Sequence, residues 1–226
     1  MKINFIVPSY RRGQSLQRLV RTVIGNADNP ENVYWTFVLH VGDQGSIDTV
    51  LNTPNSTIVF ERHETPHLAE FMNLGYFNSS PSDVYVYIGD DFECVTKHWD
   101  RKVLDDLDNT NGWSIVCGPD GYLGMPSCPT YFFISRRLVD AVGEFVCPQF
   151  HREGTDKAWG DNLGPLGLVT WLPTLRFTHH HATRAGGNMD ETYKRLCNTP
   201  NPSYGSEYKE YVKAAQLRIQ EAMKAS

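Results

Sequence analysis

The chain has 226 residues, 40% of them hydrophobic and 12% aromatic. That is enough to bury a sizeable core in one large domain or two small lobes, and one domain is the simpler reading. Twenty-one Lys and Arg against 26 Asp and Glu leave a formal charge of −5, which excludes a whole-protein field drawing the chain to nucleic acid or anionic membrane but leaves room for a local basic groove. The apolar runs, of which 3–8 is typical, are strand-sized and fall far below the roughly 20 residues that span a bilayer, so no membrane partner is expected. Residues 2–7 lack the apolar stretch and cleavage site of a secretory signal, and a cytoplasmic location is the expectation. Cys94, Cys117, Cys128, Cys147 and Cys197 are an odd, scattered set without a C-x-x-C pair, which points to reduced packing residues rather than a disulfide framework or a cysteine zinc site.

In chain order, residues 2–7 read as a strand closed by Pro8, and Leu16, Leu19, Val20, Val23 and Ile24 then repeat with helical period. A second strand over 33–41 ends in Gly42-Asp43-Gln44-Gly45-Ser46, and a third over 57–60 precedes a helical stretch with Leu68, Phe71, Met72 and Leu74. Residues 83–88 read as a fourth strand, stopped by Gly89-Asp90-Asp91. Strands alternating with helices predict an α/β fold with a mostly parallel, doubly wound sheet whose ligands sit beyond the carboxyl ends of the strands. The polar clusters at 8–12, 42–46 and 89–93 should therefore converge.

Beyond about residue 110 the pattern shifts to short strands, at 114–117, 130–135 and 169–172, with a short helix over 136–142. The expected organisation is a single domain over 1–226, with a nucleotide-binding half at 1–110, an acceptor-side subdomain at 111–200 and a C-terminal helix at 201–226. In that helix Tyr208, Tyr211, Val212, Ala215, Ile219, Ala222 and Met223 form one stripe that should dock on the body.

Asp90 and Asp91 put two adjacent carboxylates at the end of a buried strand, where negative charge is costly unless a cation or hydrogen-bond donors receive it. A divalent ion such as Mn²⁺ or Mg²⁺ suits hard oxygen ligands and completes its shell with substrate phosphates and water; helix or turn capping is the plainer use of Asp. In company with Pro8-Ser9-Tyr10-Arg11-Arg12, Gly42-Asp43-Gln44-Gly45-Ser46 and Asn73-Leu74-Gly75, the pair resembles the nucleotide-binding half of family 2 glycosyltransferases of the GT-A fold, and the likeness extends over nearly the whole chain. It implies nucleotide-sugar contacts from Pro8, Tyr10, Asp43 and Asp90, with Asp43 recognising the base, Asp90 near the ribose and Asp91 on the metal, and Arg11 and Asn73, which lie in the same motifs, are taken as further donor contacts. Gly42 departs from the second aspartate often present in that family.

In the second half, Gly143-Glu144-Phe145 fits the family's acceptor-side Gly-x-Phe element, and Asp156 precedes Gly167 at the family's eleven-residue spacing, although Thr155 stands where Glu is usual. Asp156 is the candidate general base and Asp161 the reserve, because a carboxylate within hydrogen-bond reach can take a proton from an attacking hydroxyl. Trp159, between them, is a possible stacking platform for an acceptor, whereas Trp99, Trp113 and Trp171 read as core. In Phe177-Thr178-His179-His180-His181 strand alternation puts His179 and His181 on one side, and the resemblance implies a C-terminal histidine completing the metal site, His179 first and His181 second. A zinc-hydrolase reading of the three histidines lacks an H-E-x-x-H motif. Arg11, Arg12, Arg184 and Lys194 are candidates to neutralise a diphosphate, although for Arg12 and Lys194 a solvated surface position is the stronger expectation.

Together these features predict transfer of a sugar from a nucleotide diphosphate-sugar to a hydroxyl, with inversion implied by the resemblance alone. The acceptor could be a glycan, a small molecule or a hydroxymethylated pyrimidine in DNA, the last disfavoured by the chain's acidity; no obligate protein partner is inferred. The rival readings are a nucleotidyltransferase or pyrophosphorylase, whose glycine-rich loop after strand one is missing, and a non-catalytic sugar-nucleotide-binding module.

Overall fold

The computed structural model describes residues 1–62, 67–150, 154–181, 190, 194 and 204–226. In order they form β1 (Ile3–Ser9), α1 (Gly13–Asn26), β2 (Val33–His40), α2 (Gln44–Val50), β3 (Ser56–Glu61), α3 (Leu68–Phe77), β4 (Val84–Tyr87), β5 (Phe92–Cys94), α4 (Trp99–Asn109), β6 (Ile115–Cys117), β7 (Phe132–Ser135), α5 (Arg136–Val142), α6 (Thr155–Leu163), β8 (Val169–Trp171), β9 (Phe177–His179) and α7 (Ser206–Lys224).

A seven-stranded sheet runs β3-β2-β1-β4-β7-β6-β8, with β1 parallel to β2 and β4, β2 parallel to β3, and β7 antiparallel to both β4 and β6. Strands from both halves of the chain share this sheet. Because β1 is covered on both faces, its side chains alternate between two cores rather than between core and water. Phe5 and Val7 join Leu16, Leu19 and Val23 of α1 and Trp99 and Val103 of α4, while Ile6 joins Met72 of α3, Leu138 of α5 and Ile219 of α7. Gly75 permits the second layer to close: a Cβ there would come within 2.7 Å of Ile6 and 2.8 Å of Val38, so α3 lies nearly on the sheet.

The C-terminal helix docks by the stripe expected of it, with Tyr208, Ala215 and Ile219 buried and Met223 left at the exposed margin. Three helices that the sequence pattern left unread complete the fold. The first, α2, begins at Gln44 because Asp43 caps it, accepting from the Ser46 N–H at 3.2 Å. The second, α4, is tied to the end of α1 through Asp100, whose carboxylate accepts from the Asp28 and Asn29 backbone N–H groups at 2.8 and 2.9 Å. The third, α6, carries the candidate base. A two-stranded antiparallel ribbon, β5 with β9, stands apart from the main sheet. Among the described residues no helix is long and apolar enough to cross a membrane. The described cysteines, Cys94, Cys117, Cys128 and Cys147, are free thiols, and Cys197 lies outside the described residues.

Burial alone would raise the Asp100 carboxyl, but the N–H groups of Asp28, Asn29 and Arg101 outweigh it and hold it below the ordinary carboxylate range. A depressed folded pKa contributes stability that is present above the unfolded value, about 4, and is lost as pH falls through the folded one. Asp100→Asn should therefore cost about 1.5–3 kcal/mol at pH 7, the range for hydrogen bonds to a charged group. Urea unfolding should show the gap between wild type and variant narrowing below pH 4; a gap that does not depend on pH would show that the charge of Asp100 plays no part.

Candidate active site

The order of the strands places the site. From β1 the chain moves to β2 and β3 on one side and returns to β4 on the other, so the carboxyl ends of β1 and β4 flank the point where the strand order reverses. Ser9, the last residue of β1, donates to Asp90 Oδ2 across that crevice at 2.6 Å. Arg12 reaches over the same gap, with Nη1 at 3.0 Å from Asp90 Oδ1 and 3.9 Å from Asp91 Oδ2, and with Nε and Nη2 forking onto the Asp190 carboxylate at 2.7 and 2.8 Å. Arg12 is thus a half-buried ion-pair centre, which corrects the expectation of a solvated surface charge. The reason is the cost of leaving Asp90, itself buried, without a counter-charge. Burial pushes the Asp90 carboxyl up, Arg12 draws it back down and Asp91 raises it again.

The β5–β9 ribbon brings the histidines to this point. Phe92 pairs with His179 in register, their rings stack at 4.1 Å, and the His180 N–H donates to the Asp91 carbonyl at 2.8 Å. The buried His179 directs Nε2 to within 3.5 Å of Asp91 Oδ1, while Nδ1 lies 3.2 Å from Asp120 Oδ2. Burial would lower its pKa, but Asp120 and Asp91 hold it up at about 9. As strand alternation requires, His180 turns the other way and meets Glu93 at 2.9 Å, and His181 shares the side of His179, edge-on to it at 5.0 Å. The ring of His181 stacks on Tyr122 at 5.3 Å.

Among the described residues no group of three His, Cys, Asp or Glu side chains could by itself hold a metal ion. Asp91 and His179 nevertheless fit a divalent ion of the kind that takes one or two protein ligands and draws the rest of its shell from phosphate and water. The carboxylates on either side of the ring already favour positive charge there, and an imidazole backed by a carboxylate on its other nitrogen is the usual form of a metal-binding histidine.

Of the expected nucleotide contacts, Pro8, Tyr10, Arg11, Asp43 and Asp90 lie at or just beyond the carboxyl ends of β1, β2 and β4, and several are tied to one another, whereas Asn73 lies within α3. Pro8 pairs in register with Val38 near the ends of β1 and β2. The ring of Tyr10 packs edge-on against His40 at 5.7 Å, with the Arg11 guanidinium 5.1 Å from its centroid. Arg11 has a left-handed backbone, φ 54°, stabilised by its N–H donating to Asp43 Oδ2. Asp43 therefore joins the loops after β1 and β2 as well as capping α2. Asn73 spends both ends of its amide on the backbone beyond α5, accepting from the Phe145 and Val146 N–H groups at 3.0 Å and donating to the Val146 carbonyl at 2.9 Å.

Asp156 lies in the first turn of α6, and that turn is fastened to β4 by the buried Tyr87, whose hydroxyl bonds Thr155 Oγ1 at 2.6 Å. This bond explains why a hydroxyl stands at 155. Tyr87 is held far above its usual pKa, first by burial and then by the charge of Asp156. Cys128 Sγ approaches Asp156 Oδ2 at 3.7 Å. Asp161 is engaged elsewhere: Lys157 Nζ bridges both its oxygens at 2.6 and 2.7 Å and the Tyr208 hydroxyl donates to it at 2.6 Å, which anchors α7 to α6. Gly167 adopts φ 70° just after a 3-10 turn, a conformation that favours glycine.

Trp159 corrects a further expectation. It is 2% exposed and its indole donates to the Phe145 carbonyl at 2.8 Å, so it is part of the core and cannot serve as a stacking platform. Arg184, Gly186, Gly187 and residues 191–193 lie outside the described residues, and Lys194 is exposed. Asp120 stands among Gly118, Pro119 and Gly121 and belongs to no motif legible in the sequence.

No family model matches the chain, and no curated protein matches it in sequence. Among solved structures it is similar to TarS 1-349 of S. aureus in complex with UDP-GlcNAc, at 12% identity over 96% of this chain and 66% of that one, with a TM-score of 0.65. It is also similar to the mannosyltransferase PcManGT of Pyrobaculum calidifontis in complex with GDP-Man and Mn²⁺, at 12% identity over 99% of this chain and 74% of that one, again with a TM-score of 0.65. The chain spans just under two thirds of TarS 1-349 and 43% of the longer TarS chain. At such identity the likeness is one of fold: the chain has the GT-A fold, a mixed α/β architecture on a mostly parallel central sheet.

If Arg12 is what makes the buried Asp90 tolerable, Arg12→Ala should lower stability at pH 8, where Asp90 is ionised, by about 3–5 kcal/mol, the usual cost of orphaning one partner of a buried pair. Chemical denaturation measures this directly, and a loss below about 1 kcal/mol, the scale of an exposed pair, would contradict the assignment.

Proposed function

We propose that the chain is a metal-dependent glycosyltransferase that moves a sugar from a nucleotide diphosphate-sugar to a hydroxyl group. The observation that carries this reading is the facing of Asp91 and His179 Nε2, 3.5 Å apart, at the strand-order reversal of a GT-A fold. The complexes of similar fold support it, one holding UDP-GlcNAc and another GDP-Man with Mn²⁺.

In this reading the nucleotide lies along the loops after β1 and β2, with its base at Asp43, its ribose at Asp90 and its diphosphate beside Arg11. Asp91 and His179 hold the ion, Mn²⁺ or Mg²⁺, which when bound offsets the charge developing on the diphosphate leaving group. His181, stacked on Tyr122 beside His179, lines the same side. Asp156 takes the proton of the acceptor hydroxyl as its oxygen attacks the anomeric carbon. The new glycosidic bond forms as the bond to the diphosphate breaks, and a single in-line displacement inverts the anomeric centre. Inversion rests on the resemblance to family 2 enzymes. The placement of Asp156 on the fastened first turn of α6 supports its role, and the engagement of Asp161 with Lys157 and Tyr208 makes Asp161 the weaker choice.

Screening the purified chain against nucleotide sugars for hydrolysis, and then for transfer to simple glycans and hydroxymethylpyrimidine DNA, identifies donor and acceptor. With the donor known, Asp91→Ala should abolish metal-dependent binding of the nucleoside diphosphate in calorimetry, and unchanged affinity would remove Asp91 from the site. Asp156→Asn should keep donor affinity and lose about 10²–10⁴-fold in turnover, the usual worth of a general base. Near-full activity in that variant would exclude Asp156.

A further inference from the structure

Asp120 has no part in the chemistry just described, yet its carboxylate is 1% exposed and joins two parts of the site. Oδ1 accepts the N–H groups of Tyr122 and Gly124 at 2.7 and 2.8 Å, closing the turn that follows β6. Oδ2 accepts the Thr130 hydroxyl at 2.9 Å and lies 3.2 Å from His179 Nδ1. The Asp120 carbonyl receives the His179 N–H at 2.9 Å, so ring and backbone of the histidine are both gripped by one residue. With the Tyr122 and Gly124 N–H groups and the Thr130 hydroxyl all donating to it, the Asp120 carboxylate is an acceptor toward its neighbours, and Nδ1 is the ring nitrogen of His179 that faces it. When His179 gives up one proton, the one facing Asp120 stays on Nδ1, so Nε2, which faces Asp91, is the nitrogen left to take a metal ion.

We infer that Asp120 is a positioning residue that fixes the tautomer and aim of His179 for metal binding and locks the 121–130 turn onto the same ring. The inference rests on the function proposed above. Tyr122, held by Asp120 through its N–H, stacks on His181 and meets His179 edge-on at 6.4 Å, so Asp120 ties the turn to the histidine pair. Asp120→Asn separates the two tasks. The amide oxygen of the variant keeps the Tyr122 and Gly124 bonds, but its NH₂ then faces Nδ1, which must become an acceptor. The ring proton transfers to Nε2 and blocks the ligating nitrogen.

The test is a titration of free Mn²⁺ by electron paramagnetic resonance, with and without UDP or GDP, on the wild-type chain, Asp120→Asn and Thr130→Val. Asp120→Asn should bind Mn²⁺ about 10–100-fold more weakly, the usual effect of losing the partner that orients a metal-binding histidine. Thr130→Val, which loosens the turn but leaves the carboxylate on His179, should stay close to wild type. If Asp120→Asn matches wild type, or if Thr130→Val loses as much, Asp120 serves only the turn and the inference fails. A wild-type chain that binds no Mn²⁺ with either nucleotide overturns the proposed function, and the inference with it. Should Asp120→Asn not fold, nitrogen-15 correlation spectra of the wild-type histidine rings, assigned with His179→Gln and recorded above pH 9, decide the matter. A neutral His179 protonated on Nδ1 is expected, and protonation on Nε2 overturns the inference.

Discussion

Two carboxylates buried side by side at the end of β4 are the constraint around which the rest of the site is arranged. Taking an ionised carboxylate out of water costs several kcal/mol even after relaxation, and Asp90 and Asp91 present that cost twice at adjacent positions. The surrounding structure answers both. Asp90 receives the Ser9 hydroxyl and the Arg12 guanidinium from across the crevice, and Asp91 faces His179, delivered by the β5–β9 ribbon. The partners come from the segment after β1 and from β9, both distant in sequence from Asp90 and Asp91, so the site forms only when the fold does. A metal-binding role gives this expensive arrangement a purpose, because a divalent ion and the phosphates it brings draw on the same concentration of charge.

The fold makes the arrangement possible through its order of strands. With β1 in the middle, its loop lies between the loops after β2 and β4, and a hydrogen bond across each boundary joins the three. The antiparallel β7 then carries the chain back beside β4, and the Tyr87–Thr155 bond fastens the first turn of α6 to that strand. Asn73 and Gly75 work on the same face: one fixes the backbone beyond α5, and the other lets α3 approach the sheet closely enough to do so. Residues that resemble a nucleotide-binding signature thus owe part of their identity to packing.

Much of this was legible in the sequence because strand periodicity and abrupt polar stops are local signals. The first four strands, the helix at 136–142 and the C-terminal helix lie within a few residues of where the pattern puts them, and the alternation of His179, His180 and His181 follows from the geometry of an extended chain. What escaped was set by distant partners. The three-residue β5 carries too little period to read, and it forms because β9 pairs with it. Arg12 reads as one of two adjacent surface arginines until the fold brings Asp90 and Asp190 to it. Trp159 sits between two acidic residues in the chain, yet its face of α6 points into the core. Asp120 is hidden in a Gly- and Pro-rich turn, and its tie to a histidine 59 positions later is visible only in three dimensions.

The central claim is that Asp91 and His179 together hold a divalent ion beside a nucleotide at the junction of β1 and β4. Crystals grown with Mn²⁺ and a nucleoside diphosphate, measured at the manganese absorption edge, test it most directly. The expected result is one strong anomalous peak within coordination distance of an Asp91 carboxylate oxygen and His179 Nε2, with the diphosphate completing the shell. Bound nucleotide whose manganese peak lies away from both residues, or nucleotide bound away from the loops after β1 and β2, would contradict it.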